Sequence, residues 1–212
     1  MSGGTLLRIG IDFDNTIACY DGVFHAAALE RDLVPQGLGT GKTAVRDYLN
    51  GAGRKDEFTE LQGYVYGTRM DLASTYPGCE TFVSRALAER HELFVVSHKT
   101  RHPILGPKYD MHAAAHGFLA ARGLSGSGRI PDDRIFFEPT KEEKVARAAA
   151  LGIDVFIDDL PEILTMPGFP ATARRILFDP EGAHSGRMAS YAGVENYRGW
   201  DEVATAVLGP AK

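Results

Sequence analysis

Short apolar runs recur along the chain and predict five buried β-strands. The runs are rich in β-branched and aromatic residues, and polar residues flank each of them. Near-continuous apolar runs of this kind are typical of strands that are covered on both faces, as in a parallel sheet. The predicted strands span residues 6–13, 93–98, 134–138, 154–158 and 174–178.

Between these strands, apolar residues recur with the period of an α-helix. The segment that opens at Thr140 begins with a capping box, and Gly123 and Gly152 are suited to end helices. Strands that alternate with helices predict a doubly wound α/β fold with a parallel sheet. The predicted helices of this part span residues 79–90, 109–123, 140–152 and 200–208.

One long segment, residues 20–76, interrupts this alternation. It contains no convincing strand, but it has helical patterns at 21–33, 42–50 and 55–67, with glycines between them. A chain of 212 residues suits one α/β domain with a modest insertion. We therefore predict a core domain of residues 1–19 and 77–212, and a small helical insertion after the first strand.

Composition and charge exclude several classes of partner. The net charge is only −5 and no run of Lys or Arg appears, so neither a nucleic acid polymer nor a membrane surface is expected as partner. The two cysteines form no CxxC pair, the N-terminus lacks a signal-peptide pattern, and no run of eighteen apolar residues occurs. We expect a cytoplasmic protein, and a homodimer stays open.

Polar side chains collect where the predicted strands end. Asp12 and Asp14 follow the first strand, Ser97 ends the second, and Asp158 and Asp159 end the fourth. Ligands of open α/β sheets bind at the carboxyl ends of the strands. Four carboxylates at one edge repel one another unless a cation holds them, and oxygen ligands without Cys or His favour Mg²⁺.

These residues resemble the four motifs of the haloacid dehalogenase superfamily of aspartate-nucleophile phosphotransferases. The matching segments are DFDNT (12–16), Ser97 in FVVSH, a lysine in TKEEK (140–144) and IDD (157–159). Asn15 stands where many relatives have Gly, and Asn tolerates the left-handed backbone of a sharp turn. The resemblance implies a Rossmann-like core with a helical cap of the C1 type inserted after the first strand.

The resemblance also implies a role for each acidic position. Asp12 would attack phosphorus and form an aspartyl-phosphate, and Asp14 would be general acid for the leaving alcohol and then general base for water. Two acids that stand two residues apart can both face one phosphoryl group. Asp158 would bind Mg²⁺ with the Asp12 carboxylate and the Asp14 backbone carbonyl. Asp159 would support the ion directly or through water, and the doublet leaves open which of the two touches the metal.

Further positions would bind the phosphoryl group. Ser97 would donate its hydroxyl to a phosphoryl oxygen, and Thr16 and His98 are further candidates, Thr16 also being expected to form a hydrogen bond within its turn. A lysine near a helix N-terminus gains nothing from the helix dipole, which points to a function for one of the two lysines. We prefer Lys144 as the phosphate ligand, and Lys141 is the alternative.

The function implied by the resemblance is a Mg²⁺-dependent phosphatase that acts on a small phosphorylated metabolite, such as a sugar phosphate or a nucleotide. The alternatives are a phosphomutase or another phosphotransferase of the superfamily, and a non-catalytic phosphate-binding regulatory domain. Dehalogenases of the same fold lack the second aspartate of the first motif. Asp14 therefore argues against dehalogenation.

Three other segments carry suggestive patterns. QGLGTGKT (36–43) resembles a phosphate-binding P-loop, but it lacks the first glycine and a preceding strand, so we interpret it as a turn that opens a helix. HAAAH (112–116) has metal-ligand spacing without a third ligand, which favours a helix surface. In SHKTRH (97–102), Lys99, Arg101 or His102 either binds an anionic group or belongs to a solvated loop.

Overall fold

The computed structural model describes residues 5–210, which contain a six-stranded parallel sheet. Its strands are β1 (Arg8–Ile11), β4 (Glu92–His98), β5 (Ile135–Glu138), β6 (Val155–Asp158), β7 (Arg174–Phe178) and β8 (Val194–Tyr197). The short strands β2 (Ala18–Cys19) and β3 (Ser74–Thr75) form a separate antiparallel ribbon. The strand order β5-β4-β1-β6-β7-β8 has crossovers on both sides of β1, as in a doubly wound sheet. The predicted α/β fold is confirmed.

Strand β1 lies at the centre of the sheet and is fully covered. Ile9 and Ile11 have no exposed surface, and the register pairs Ile11 with Val95 of β4 on one side and with Ile157 of β6 on the other. The absence of a side chain at Gly10 allows the Phe156 ring to pack closely here, because a Cβ on Gly10 would lie 2.6 Å from that ring. The carboxyl end of β1 is thereby flanked by the ends of β4 and β6.

Eight α-helices lie within residues 5–210. The predicted N-terminal cap is present at Thr140, whose side chain accepts a hydrogen bond from the Glu143 amide at 3.1 Å. Gly123 and Gly152 follow their helices with positive φ, as expected for C-terminal caps. The helices are α1 (Val23–Glu30), α2 (Lys42–Gly51), α3 (Lys55–Thr68), α4 (Cys79–Ala88), α5 (Met111–Ala121), α6 (Lys141–Ala150), α7 (Pro161–Leu164) and α8 (Trp200–Leu208).

Two elements of the sheet region were not predicted. Strand β8 reads Val-Glu-Asn-Tyr and is half-buried along its whole length, because it lies at the edge of the sheet. An edge strand with two polar residues in the middle gives no apolar run. The short helix α7 begins at Pro161 and is only four residues long, too short to show a helical period.

Residues between the two strands of the ribbon fold into helices α1, α2 and α3. Phe24, Leu49 and Leu61 are fully buried in the core of this insertion. The helices agree with those predicted from the sequence, whereas the division of the chain into a core domain and a cap stays a prediction. No helix within residues 5–210 combines the length and apolar character that crossing a membrane requires.

Candidate active site

A buried lysine joins two aspartates at the carboxyl edge of the sheet. Asp12 follows β1 directly and Asp158 ends the neighbouring strand β6, so the parallel pairing of these strands brings the two carboxylates together. Lys144 reaches them from the first turns of α6, with its Nζ 2.5 Å from Asp12 Oδ1 and 2.6 Å from Asp158 Oδ2. All three residues are at most 4% exposed. The structure therefore places Lys144 in this cluster, while Lys141 pairs with Glu162 at the surface.

The electrostatics of this cluster follow from burial and charge. Burial by itself would lower the pKa of Lys144, but the charges of Asp12 and Asp158 outweigh it and raise that pKa. Burial raises the pKa of the Asp158 carboxyl, and Lys144 opposes the shift. Burial and the charge of Asp12 raise the pKa of Asp159 as well. Close packing of these three acids around one lysine thus disfavours the ionised forms of Asp158 and Asp159.

Three carboxylates of the site are arranged as ligands of a cation would be. Asp12, Asp158 and Asp159 each offer an oxygen, and these oxygens lie within 4.8 Å of one another. Asp158 Oδ2 is buried and has no hydrogen-bond partner with suitable geometry, although Lys144 is close to it. Carboxylate oxygens that converge in this way fit a hard divalent cation such as Mg²⁺. The Asp14 side chain is not a member of this group.

Asp14 is instead held by two donors from other parts of the chain. Lys99 Nζ donates to its two oxygens at 2.9 and 2.7 Å, and the Tyr20 hydroxyl donates at 2.5 Å. The turn that carries Asp14 is closed by the Asn15 amide, which donates to the Ala18 carbonyl at 2.9 Å. Asn15 has φ of 59°, so the predicted left-handed conformation is confirmed.

The sequence left open whether Lys99 binds an anionic group or belongs to a solvated loop, and the structure shows what surrounds its side chain. Lys99 is only 4% exposed, and its ammonium lies 5.3 Å from the Phe13 ring and 4.6 Å from the Tyr66 ring. The Lys99 side chain is therefore not solvated, and in this structure it pairs with Asp14. In the sequence, the only sign that Lys99 reaches Asp14 is its position directly after strand β4, two residues beyond Ser97.

The other expected phosphate ligands differ in their positions. Ser97 is 1% exposed near the end of β4 and lies at the expected edge of the sheet. The exposed His98 directs its ring to the Pro139 carbonyl at 3.1 Å, so its side chain does not join the cluster. Thr16 is fully buried, and its hydroxyl has no hydrogen-bond partner. The expectation that this hydroxyl is bonded within the turn is wrong, because the turn is closed by backbone bonds alone.

Two of the suggestive segments have structural roles. Residues 36–41 form a turn, and α2 begins after it at Lys42, as interpreted from the sequence. His112 and His116 both pack against the Phe137 ring, with centroids 5.2 Å apart in each case. His112 Nε2 is also 2.8 Å from the Lys99 carbonyl, which fixes the loop that carries this lysine.

A cavity of about 290 Å³ opens beside the acidic cluster, between the insertion and the sheet. Asp159 forms part of its inner wall, and Lys42 and Thr43 at the start of α2 face it from the insertion. The loop after β7 forms the opposite wall, where buried Asp179 accepts hydrogen bonds from the amides of Ala183 and His184 at 2.8 and 2.9 Å. The remaining lining residues are Asn15, Tyr20, Asp21, Gly41, Tyr76, Phe178, Pro180 and Glu181.

Solved structures with a similar fold are known, although no family model matches the chain and no curated protein matches its sequence. A predicted phosphatase from Clostridium acetobutylicum is 15% identical, with a TM-score of 0.61 over 97% of this chain and 100% of the other. The haloacid dehalogenase-like hydrolase SP0104 from Streptococcus pneumoniae is 14% identical, with a TM-score of 0.60 over 97% and 100%. The HAD-hydrolase YfnB from Bacillus subtilis, in a structure bound to magnesium, is 12% identical, with a TM-score of 0.54 over 98% and 100%. These likenesses establish the fold.

Proposed function

We propose that this chain, which has the fold of the haloacid dehalogenase superfamily, is a Mg²⁺-dependent phosphatase of a small phosphorylated metabolite. The observation that carries the proposal is the buried contact of Lys144 with Asp12, next to a second acid, Asp14, that is fixed by its own donors. A nucleophile and a separate acid-base group beside one cavity are the parts that a two-step phosphoryl transfer needs.

In the first step, Asp12 attacks the phosphorus atom of the substrate. Lys144 contacts Oδ1 of this residue, so we assign the attack to Oδ2. The bond from phosphorus to the leaving oxygen breaks, and an aspartyl-phosphate forms on Asp12. Asp14, acting as general acid, gives a proton to the leaving alcohol.

In the second step, Asp14 accepts a proton from a water molecule that attacks the phosphorus of the intermediate. The hydrogen bonds from Lys99 and Tyr20 hold the Asp14 carboxylate in position for this step. The bond between phosphorus and Asp12 breaks, inorganic phosphate leaves, and the nucleophile is restored. Ser97 is proposed to donate its hydroxyl to a phosphoryl oxygen in both steps.

The cation of this reaction would be held by Asp12, Asp158 and Asp159, whose oxygens converge. Bound Mg²⁺ would supply positive charge that neutralises the transferring phosphoryl group. A hydrolase of the same fold has been solved with magnesium, which supports the choice of ion. Lys144 supplies a further positive charge next to Asp12.

The experiment that tests this function is hydrolysis of p-nitrophenyl phosphate by the full chain with and without Mg²⁺. We expect release of inorganic phosphate that requires the ion and disappears with EDTA. A screen of phosphorylated metabolites then identifies the substrate class. Absence of turnover with every divalent metal would favour a non-catalytic phosphate-binding domain, and transfer between two positions of a sugar without phosphate release would favour a phosphomutase.

A further inference from the structure

Lys42 is a half-buried lysine whose charge has no carboxylate partner. It is the first residue of α2, directly after the glycine-rich turn of the insertion. Its ammonium donates to the Tyr66 hydroxyl at 2.9 Å and lies 4.9 Å from the Phe24 ring and 5.5 Å from the Tyr66 ring. Within residues 5–210, no carboxylate oxygen lies within 4.0 Å of it. Aromatic faces and one neutral hydroxyl therefore surround this cation.

Removing an ammonium from water without an ionic partner costs free energy, and at Lys42 this cost appears as a lowered pKa. Burial lowers its pKa, while the negative charges of Asp14 and Asp159 raise it in the opposite direction. These two acids belong to the candidate active site, not to the insertion. Lys42 is thus within electrostatic reach of the groups that would handle the phosphoryl group.

The cavity connects Lys42 with the acidic cluster. Lys42 and Asp159 both line this space of about 290 Å³, and α2 approaches it with its N-terminal end. An anion held at the cluster on one side would find the ammonium on the other side. Lys144 and Lys99 pair with Asp12 and Asp14, whereas Lys42 lines this cavity and has no carboxylate oxygen within 4.0 Å among residues 5–210.

We propose that Lys42 binds the phosphoryl group that is being transferred, so that the insertion contributes a ligand to the phosphate site. This inference rests on the proposed phosphatase function and deepens it. The ammonium would exchange its contact with the neutral Tyr66 hydroxyl for a charge-assisted hydrogen bond to a phosphoryl oxygen. It also gives a role to the glycine-rich segment before α2, whose last turn places this lysine.

The test compares Lys42→Met with Lys55→Met, because both lysines are the first residues of helices in the insertion and Lys55 is exposed. Methionine keeps the apolar contacts with the aromatic rings, and Lys42→Gln is a second variant in case the first does not fold. The readouts are the KM for p-nitrophenyl phosphate and the inhibition constant of inorganic phosphate. A charged hydrogen bond is worth enough to predict an increase of about 10-fold or more in both constants.

Two further variants separate binding from a structural role. Lys42→Arg is expected to recover part of the phosphate affinity, and Tyr66→Phe, which removes only the hydroxyl that Lys42 contacts, is expected to change it less than Lys42→Met. If Tyr66→Phe reproduces the whole loss, Lys42 acts by holding Tyr66 and the proposal is overturned. Equal inhibition constants for wild type and Lys42→Met also overturn it, while leaving the phosphatase function intact.

Substrates that carry one or two phosphates test whether Lys42 binds the phosphoryl group that is transferred or a second phosphate of the substrate. Because p-nitrophenyl phosphate has only the group that is transferred, a loss with this substrate supports the proposal, and a loss confined to bisphosphates overturns it. If the wild type has no phosphatase activity, the proposed function fails. Calorimetry of inorganic phosphate binding to the wild type and to Lys42→Met then tests the role of Lys42 by itself. Weaker binding by Lys42→Met is the expected result, and equal binding would overturn the proposal.

Discussion

The ammonium nitrogen of Lys99 lies 2.9 and 2.7 Å from the two carboxylate oxygens of Asp14. Tyr20, from the start of the insertion, adds a third hydrogen bond to the same carboxylate. Asp14 is therefore oriented by three hydrogen bonds from two residues, Lys99 and Tyr20, that lie in separate parts of the chain. A general acid-base group that is fixed in this way needs little reorganisation when the substrate arrives.

Lys99→Met is expected to lower kcat by about 10- to 100-fold, as is typical when a partner that orients a catalytic group is removed. The reason is that the Asp14 carboxylate would keep only the Tyr20 hydroxyl as a side-chain donor. Steady-state hydrolysis of p-nitrophenyl phosphate measures the effect. Lys108→Met, an exposed lysine of the same loop, is the control and should keep the wild-type rate. A wild-type kcat for Lys99→Met would contradict the positioning role.

Asp12→Asn is expected to abolish turnover, because an amide cannot form the acyl phosphate. Asp14→Asn is expected to slow it by about 10²- to 10⁴-fold, the usual contribution of general acid-base catalysis. Phosphate release measures both rates, and circular dichroism checks the fold. The matched control is Asp133→Asn, an exposed aspartate outside the site. Turnover that survives Asp12→Asn would refute the assignment of the nucleophile.

Lys144→Met is expected to lower the free energy of unfolding by roughly 3–5 kcal/mol, since Asp12 and Asp158 would stay buried without their counter-charge. Urea unfolding without divalent metal measures this value. Lys141→Met removes a lysine three residues away that pairs with Glu162 at the surface, where an ion pair contributes little. A similar loss for both variants would show that the buried cluster is not what Lys144 stabilises.

Two glycines of α3 allow the insertion to pack closely on the loop after β4. A Cβ on Gly63 would lie 2.6 Å from the Pro103 ring, and one on Gly67 would lie 2.7 Å from Tyr109 Cγ. Gly63→Ala and Gly67→Ala are each expected to destabilise the protein by about 1–3 kcal/mol through overpacking. Gly117→Ala in α5 is the control, because nothing lies within 4 Å of its added Cβ. This control should gain about 0.5–1 kcal/mol from helix propensity, and thermal unfolding compares all three variants. Equal stability of all three would mean that this contact is loose.

The two cysteines are expected to react slowly with Ellman's reagent in the folded protein. Burial raises the pKa of the Cys19 and Cys79 thiols, so the reactive thiolate is scarce at pH 8. Because their pKa values are raised, these thiols should begin to react at a higher pH than a free thiol does. Colorimetry should find two fast equivalents only in guanidinium chloride. Fast labelling of the native protein at pH 8 would show that the region around one thiol opens.

The sequence was informative where a function depends on the strand ends. Asp12 and Asp158 were predicted to meet because the carboxyl ends of parallel strands converge, Lys144 was preferred over Lys141 from the resemblance, and the left-handed turn at Asn15 followed from the tolerance of Asn. Lys99 and Lys42 were not assigned, since their partners lie far away in the chain. Such contacts depend on how the helices of the insertion pack against the sheet, and no local pattern encodes that packing.

The edge of the sheet illustrates the same limit for the fold. Strand β8 exists because its backbone pairs with β7, while its side chains are half-buried and mixed in polarity. A pattern of apolar residues reports burial, and an edge strand has little of it. The five strands with apolar runs were all found, including β5 at the other edge of the sheet, which is buried only at Ile135 but has the apolar run Ile-Phe-Phe.

The ribbon formed by Ala18–Cys19 and Ser74–Thr75 has a mechanical consequence. The chain enters and leaves the helical insertion through two strands that are bonded to each other, so they must bend together about a common axis. A rotation about this axis would carry Lys42 away from the sheet, while Lys144 would stay with the nucleophile. The rate of product release would then depend on a hinge that does not itself contact the phosphate.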